Sequence, residues 1–412
     1  MDSTRHVTAT VPGTPRPAPA GHDRRLPWPA LLTMAVTVFV VVSGEMMPTA
    51  VLPAMTADLG VSLAQGGLLV SGWAATVVVA SFPLARLTAR FDRSRVIGAA
   101  LLVVVLATLL TAAAGSYGPA LTSRLVAAAA TGLLWSTVNA HAASIVPERQ
   151  IARAAAVVLG GGTLGTVGGI PAGNALADTV GWRVAFVALA VLGLLAALAV
   201  VVVLPRFPEV GSAAGGTTAQ GRRPLWPVLA TTGLGGLLLV AHFMVFTFVA
   251  ELLRPSPVPT PALLLVFGTV SAGGVALVGA ASDRYPVGVP VTVAAGMVLS
   301  LVGVTAVGGS GGLDLAVVVA WGMATGAVGP AIQAGAMRMA GAEHRVTAGT
   351  LMPVAMNLGI AVGSAAGSGV VDVWSTGVLP LIALAPAVLA VAGFALVGRL
   401  TTPGVPAAAS RG

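Results

Sequence analysis

A chain of 412 residues that is 56% hydrophobic, only 8% charged and of mean hydropathy +0.96 falls far below the roughly 25% charge of soluble domains, so it reads as an integral membrane protein. Its formal net charge of +8 rests on arginine, with no lysine, and it has no cysteine. Disulfides, thiolate catalysis and cysteine metal sites are thereby excluded. The arginines lie in short loops between apolar runs, which membrane orientation explains better than nucleic-acid binding.

Residues 1–25 are polar and proline-rich and read as a disordered cytoplasmic tail. The apolar run after them is long enough to span, so it reads as a first membrane helix and not a cleaved signal peptide. Crossing the hydrocarbon takes about 20 apolar residues. Twelve segments meet this, at about 28–53, 65–89, 95–114, 119–146, 152–177, 183–204, 225–253, 260–282, 288–308, 313–339, 345–371 and 377–398. Continuous runs such as VIGAALLVVVLATLL argue against a barrel, whose strands alternate apolar and polar residues.

The longest internal connection, PRFPEVGSAAGGTTAQGRRP, reads as a flexible linker over 205–224. It separates an expected first six-helix bundle, 26–204, from a second, 225–400, with a cytoplasmic tail over 401–412. With the N-terminus inside, eighteen arginines fall on the cytoplasmic side and only Arg183 and Arg254 on the other. The positive-inside rule then places both termini in the cytoplasm.

The halves repeat. LGTVGGIPAGNALAD in the fifth segment carries Gly165, Gly169, Gly173 and Asp178; LGIAVGSAAGSGVVD in the eleventh carries Gly359, Gly363, Gly367 and Asp372. Each pair is 194 positions apart, and Leu164 and Leu358 keep the same register. Such doubling implies two bundles that rock about a central site. Small residues every fourth position also make a face that lets helices approach closely, and Pro171 should weaken the fifth helix where it interrupts backbone bonding.

Few ionisable residues fall within the spans: Glu45, Arg124, His141 and His242. A charge at the bilayer centre costs about 2.5–3.5 kcal/mol on insertion scales, so each needs a partner, water or a task. If the first helix ends near Pro53 and the fourth begins near Pro119, Glu45 and Arg124 lie at similar depth, roughly 12 and 7–8 Å below one surface. Two readings stand: the pair satisfies itself and fixes packing, or Glu45 is a proton site beside a fixed cation. His242, within VAHFMVF, is either a packing residue or a cavity group that shares in proton transfer. His141 is expected nearer the solvent, at the cytoplasmic end of the fourth helix.

The glycine clusters follow no strand and have no Walker lysine, so no nucleotide motor or other enzyme activity is expected. No cofactor is expected, and no side-chain cluster has metal-ligand spacing.

With these residues in place, the chain resembles the major facilitator superfamily, in its twelve-helix drug–proton antiporter branch, over roughly 30–400. GEMMPTAVLP resembles the acid-x-x-Pro-x-x-x-x-Pro end of the first helix in bacterial exporters of sugars, nucleosides and chloramphenicol. RLVAAAATG is similar to the fourth-helix motif built on an intramembrane arginine. GTVGGIPAGNALADTVGWRVAF is similar to the antiporter motif, with Gly165, Gly169, Pro171 and Gly173, although its usual Gly-Pro is loosened to GIP. The gating loop departs from the family pattern: ARLTARFDRSR has Ala85 and Ala89 where Gly and Asp would stand, keeping Arg90, Asp92 and Arg93, whereas GAASDR keeps Gly279, Asp283 and Arg284.

The resemblance implies an all-α membrane protein of two pseudo-symmetric six-helix bundles, in a bacterial inner membrane, exporting small organic molecules such as drugs in exchange for protons. Glu45 and Arg124 would couple the proton; from the chain's own residues, Met46, Trp135 and His242 are candidates to line the substrate cavity, and Asn139, Gln333 and Asn357 are either cavity-lining donors or interhelical hydrogen-bonding residues. Its partners would be a small-molecule substrate, protons and the lipid bilayer, with no nucleic acid, and its working unit a monomer. A proton-coupled importer and a non-transporting membrane sensor are the alternatives.

Overall fold

The computed structural model describes residues 26–147, 150–205, 224–282, 284–340 and 344–401, and among these there is no strand. Fourteen α-helices follow one another: α1 Trp28–Leu59, α2 Leu63–Thr88, α3 Arg93–Ala113, α4 Tyr117–Ser144, α5 Ile151–Leu164, α6 Ile170–Val180, α7 Trp182–Val203, α8 Trp226–Phe246, α9 Val249–Leu253, α10 Thr260–Ala281, α11 Gly288–Val304, α12 Gly311–Ala340, α13 Arg345–Val373 and α14 Leu379–Thr401. A π-helical turn, Gly165–Gly169, joins α5 to α6, so the two make one crossing. The seventh crossing is broken at Thr247–Phe248, between α8 and α9. The expected twelve crossings are therefore twelve, with two of them interrupted.

Ten of these crossings are long and apolar enough for a membrane by composition. The two others have plain reasons: α11 is apolar but has only 17 residues, and α4 is long but carries Arg124, Asn139 and His141. Local sequence sets the ends. Gly60, in the left-handed region at φ 66°, stops α1; Ser62 and Gln65 then form a reciprocal capping box that starts α2. Asp92 caps α3 by accepting from the Arg95 amide at 3.1 Å. The first helix does not end at Pro53 as expected but runs on to Leu59, holding both Pro48 and Pro53 inside it.

The end of the bundle where α1 begins is its proximal end, and the end where α1 stops is its distal end. The two bundles are α1–α7 and α8–α14, and each buries its glycine ladder in the same way. In the first, an added Cβ at Gly161, Gly165, Gly169 or Gly173 would meet Ala35, Phe39, Ser43 and Met47 of α1 in turn. In the second, one at Gly359, Gly363 or Gly367 would meet Gly236, Val240 and Met244 of α8. The sequence repeat is thus a repeat of packing: small residues let two backbones approach where any side chain would hold them apart.

Between the bundles, α2 packs along α13, and α10 packs against α6 and the π turn. Distally the seam is tight, since a Cβ on Gly67 would collide with Ser368 Oγ and the Phe248 ring. Proximally it opens into a cleft of about 470 Å³ between α1, α5 and α10, lined by Leu32, Ala35, Val157, Gly161, Ala272 and Val275 among others.

Candidate functional site

The first half-site forms where α1 is weakened. Proline has no N–H, so Pro48 leaves the Gly44 carbonyl without its helical donor. Arg124 of α4 fills that vacancy, donating from Nη1 to the Gly44 carbonyl at 2.7 Å and from Nη2 to the Glu45 carbonyl at 3.2 Å. The guanidinium is 1% exposed and lies 4.0 Å from the centre of the Trp73 ring, with Phe186 at 5.9 Å. A buried cation needs such company, because removing it from water costs more than one contact returns. Its Nε has no partner among the described residues.

The expected pairing of Glu45 with Arg124 takes a looser form, in which the two groups interact electrostatically without a direct side-chain bond. Arg124 holds the backbone at Glu45, and no ion pair within 4 Å joins the two side chains among the described residues. The Glu45 side chain is half-buried and makes no hydrogen bond there. Met46 beside it is buried in the core.

The second half-site is centred on His242 of α8. The helix pairings above relate Phe39 to Gly236, Ser43 to Val240 and Met47 to Met244, each 197 positions apart, and the same offset carries Glu45 onto His242. His242 is 2% exposed; its Nδ1 accepts from Trp321 Nε1 at 3.1 Å, with Thr325 Oγ1 at 3.4 Å. Phe246 stacks on the imidazole at 4.9 Å and Phe267 lies nearly parallel to it at 6.3 Å. Phe267 also matches Trp73 at the 194-residue offset of the glycine repeat. Rings therefore stand in both halves where Trp73 and Phe267 come in, around a cation in one and a neutral imidazole in the other.

The remaining candidates do not gather into one cluster. Asn139 and Asn357 each donate to a carbonyl one turn back in their own helix, Trp135 at 2.9 Å and Pro353 at 3.0 Å, so neither ties helices together. Gln333 is exposed, and Trp135 and Asn357 are half-buried. His141, expected near solvent, is 1% exposed. In the loop between α2 and α3, expected to gate, Asp92 serves α3 as its cap, while Arg90 stacks on Phe91 at 5.1 Å and Arg93 opens α3. Arg284 lies over Tyr285 at 5.4 Å, and Asp283 lies outside the described residues.

Pro171 sits just after the π turn, where the widened coil absorbs its missing N–H. Sequence reasoning passed over Trp73, Trp321 and Asn174. Asn174 Nδ2 donates to the Ala50 carbonyl at 2.6 Å and fixes α6 to α1. The signal for Arg124's partner was present: a glycine four residues before a proline marks a freed carbonyl. For Trp321 there was none, because only the crossing of α8 and α12 brings it to His242.

Comparison with known proteins agrees with this architecture. The profile of the Major Facilitator Superfamily matches residues 34–364. A chloramphenicol efflux pump of Mycobacterium tuberculosis is 29% identical over 376 residues, 88% of each chain. An inner membrane transport protein of Escherichia coli K12 is 29% identical over 355 residues, 83% of this chain and 88% of that one. A chloramphenicol resistance protein of Streptomyces lividans is 32% identical over 270 residues, 63% and 68% of the two. Among solved structures, a bacterial homologue of the human lysosomal transporter Spinster, inward-facing and occupied, superposes with a TM-score of 0.71 at 17% identity, covering 90% of this chain and 96% of that one. A nucleoside transporter gives 0.73 at 14% identity, with 90% and 100% covered. Two six-helix bundles sharing one glycine-built packing, and a profile that spans both, lead to one conclusion: the chain belongs to the major facilitator superfamily of transporters.

Proposed function

We propose that this transporter exports small, largely apolar organic molecules in exchange for protons, with Glu45 as the proton site. One observation carries the reading: the Glu45 side chain, half-buried and without a hydrogen bond among the described residues, hangs from a backbone that a buried arginine grips at two carbonyls. A carboxylate held near a fixed cation, with no committed partner, can take up a proton and give it back as its surroundings change. The arginine count favours an inward N-terminus, which makes the proximal cleft cytoplasmic and the sealed distal seam outer. Working as a monomer in a bacterial inner membrane, the bundles would rock about the half-sites. Facing inward, Glu45 releases its proton and substrate enters; facing outward, Glu45 is protonated and substrate leaves.

The relatives named for chloramphenicol, and the apolar cleft lining, make chloramphenicol the first substrate to test. Purified protein is reconstituted in liposomes holding a pH-sensitive dye. Wild type should move protons when chloramphenicol is added and should concentrate the drug against its gradient under an imposed pH difference. Glu45→Gln should still bind the drug and lose both. A Glu45→Gln protein that concentrates chloramphenicol under the pH gradient removes Glu45 from the mechanism.

A further inference from the structure

We infer that the second half-site is a substrate anchor: His242 donates from Nε2 to an oxygen acceptor on a neutral, planar part of the transported molecule, and Trp321 positions it to do so. The inference rests on the export reading above and says which half of the transporter holds the cargo.

An indole N–H can only donate, so at 3.1 Å Trp321 requires His242 Nδ1 to be an acceptor. In the neutral ring the hydrogen is then on Nε2. Nε2 has no partner among the described residues, and it is not one of the fully sealed polar atoms, a group that does include both ring nitrogens of His141. What little surface His242 has therefore includes a donor that the protein leaves unused. Buried polar groups in folded proteins are overwhelmingly paired, so an unused one that keeps some accessible surface is a place for a ligand or water.

The surroundings select the ligand. Phe246, Phe267 and Trp321 place ring centres 4.9, 6.3 and 5.6 Å from the imidazole, and these residues are 3%, 3% and 0% exposed. The ring-to-ring arrangement has no charge of its own, so an anion or a cation would lie there unpaired, whereas a flat group with a carbonyl or nitro oxygen meets both the N–H and the rings. The same geometry argues against His242 as a second proton carrier. Protonating Nδ1 would set two donors against each other and break the Trp321 bond. The proton and the cargo are thus assigned to opposite halves: Glu45 to the first, His242 to the second.

The test measures binding of the nitroaromatic amide used in the export assay to the full-length purified protein. It compares wild type with His242→Phe, His242→Gln and Trp321→Phe, and reads proton release on binding in parallel. His242→Phe keeps a flat ring and removes the donor; binding should weaken by about tenfold, the value of one lost hydrogen bond in a dry site. His242→Gln, which offers an N–H again, should recover part of that loss and serves as the folding control. Trp321→Phe frees Nδ1 to take a proton, so its binding should fall off more steeply at low pH than wild-type binding, whose pH dependence is only that set by the proton it releases.

Wild-type binding in His242→Phe overturns the anchor. Retained binding with lost proton release in that variant overturns it too, by making His242 a proton site. Wild-type protein that binds neither this amide nor any other neutral aromatic probe overturns the anchor and its substrate class together. Tight, His242-dependent binding with no proton release from wild type leaves the anchor standing and removes the export reading alone.

Discussion

The two halves are built alike and equipped differently. Ser43 and Met47 of α1 lie against Gly169 and Gly173 as Val240 and Met244 of α8 lie against Gly363 and Gly367. On that shared scaffold the first half sets Glu45, with Arg124 at its backbone, and the second sets His242, with Trp321 at its ring. Trp321 comes from α12 one turn along from the position that matches Arg124, taking Gly132 against Val77 and Gly326 against Ser271 as the register. One half keeps a cation and a half-buried carboxylate; the other keeps no charge at its centre. The contrast teaches that the duplicated glycine frame fixes where two helices meet, while the chemistry at the meeting point diverges freely.

The largest effect should come from removing the cation. Arg124→Leu leaves the Gly44 carbonyl without a donor and the Trp73 face without its partner. Transport should fall to background, a loss of roughly a hundredfold or more, and Arg124→Lys should recover little, because a point ammonium replaces a planar fork poorly. Drug export from intact cells, with membrane protein level as the control, measures this. Near-wild-type export from Arg124→Leu would mean that the charged half is not the coupling half. In the second half, Trp321→Phe removes only a neutral bond and should cost far less.

The glycine frame should be equally unforgiving on both sides, which tests whether the halves share it. Gly169→Leu drives a side chain into Ser43, and Gly363→Leu drives one into the Val240 backbone. Each should separate its helix pair and abolish transport, seen as loss of activity with aggregated protein on size exclusion. A Gly363→Leu protein that still exports, beside a dead Gly169→Leu, would show that only the first half needs the close approach.

Much of this frame was legible beforehand. Glycines at a fixed spacing, repeated 194 positions later, announce close helix packing without any structure. Helix rise set Glu45 and Arg124 at similar depth, and they do meet, although α1 runs on to Leu59, past the end at Pro53 that the estimate assumed. What the sequence did not disclose depends on how helices cross. The depth argument paired two side chains, whereas Arg124 reaches the backbone that Pro48 had freed. His242 was an isolated histidine until α12 brought Trp321 to it. The break at Thr247–Phe248 was also invisible, since apolar composition runs through it, whereas Pro171 had pointed to a weakening of the fifth helix next to Gly165–Gly169.

Pro48 offers a smaller and sharper test of the first half. Pro48→Ala returns an amide donor to the Gly44 carbonyl, which has two lone pairs and can accept from both the amide and Arg124. Removing a proline from a helix interior relieves up to about 3 kcal/mol of local cost. The variant should therefore melt at a higher temperature by intrinsic tryptophan fluorescence while exporting only a few-fold more slowly, because Arg124 is gripped less firmly. A variant that is both more stable and fully active would show that the freed carbonyl has no part in function.

The smallest effect separates two readings of the loop after α2. Family resemblance puts Asp92 in a gating loop; the structure uses it to cap α3, where its Oδ1 accepts from the Arg95 amide at 3.1 Å and from Ser94 Oγ at 2.5 Å. Ala89 stands where the family carries its gating carboxylate, so Asp92 has its own position and need not inherit that task. An N-cap is worth about 1 kcal/mol, and for a helix of a large transporter that lowers the melting temperature by a few degrees at most. Asp92→Ala should show that small shift with transport unchanged, and Asp92→Ser, which can still cap, should restore it. If instead Asp92→Ala folds well and Asp92→Ser transports no better, the carboxylate acts through its charge, and the first half would be charged at its proximal loop as well as at its centre.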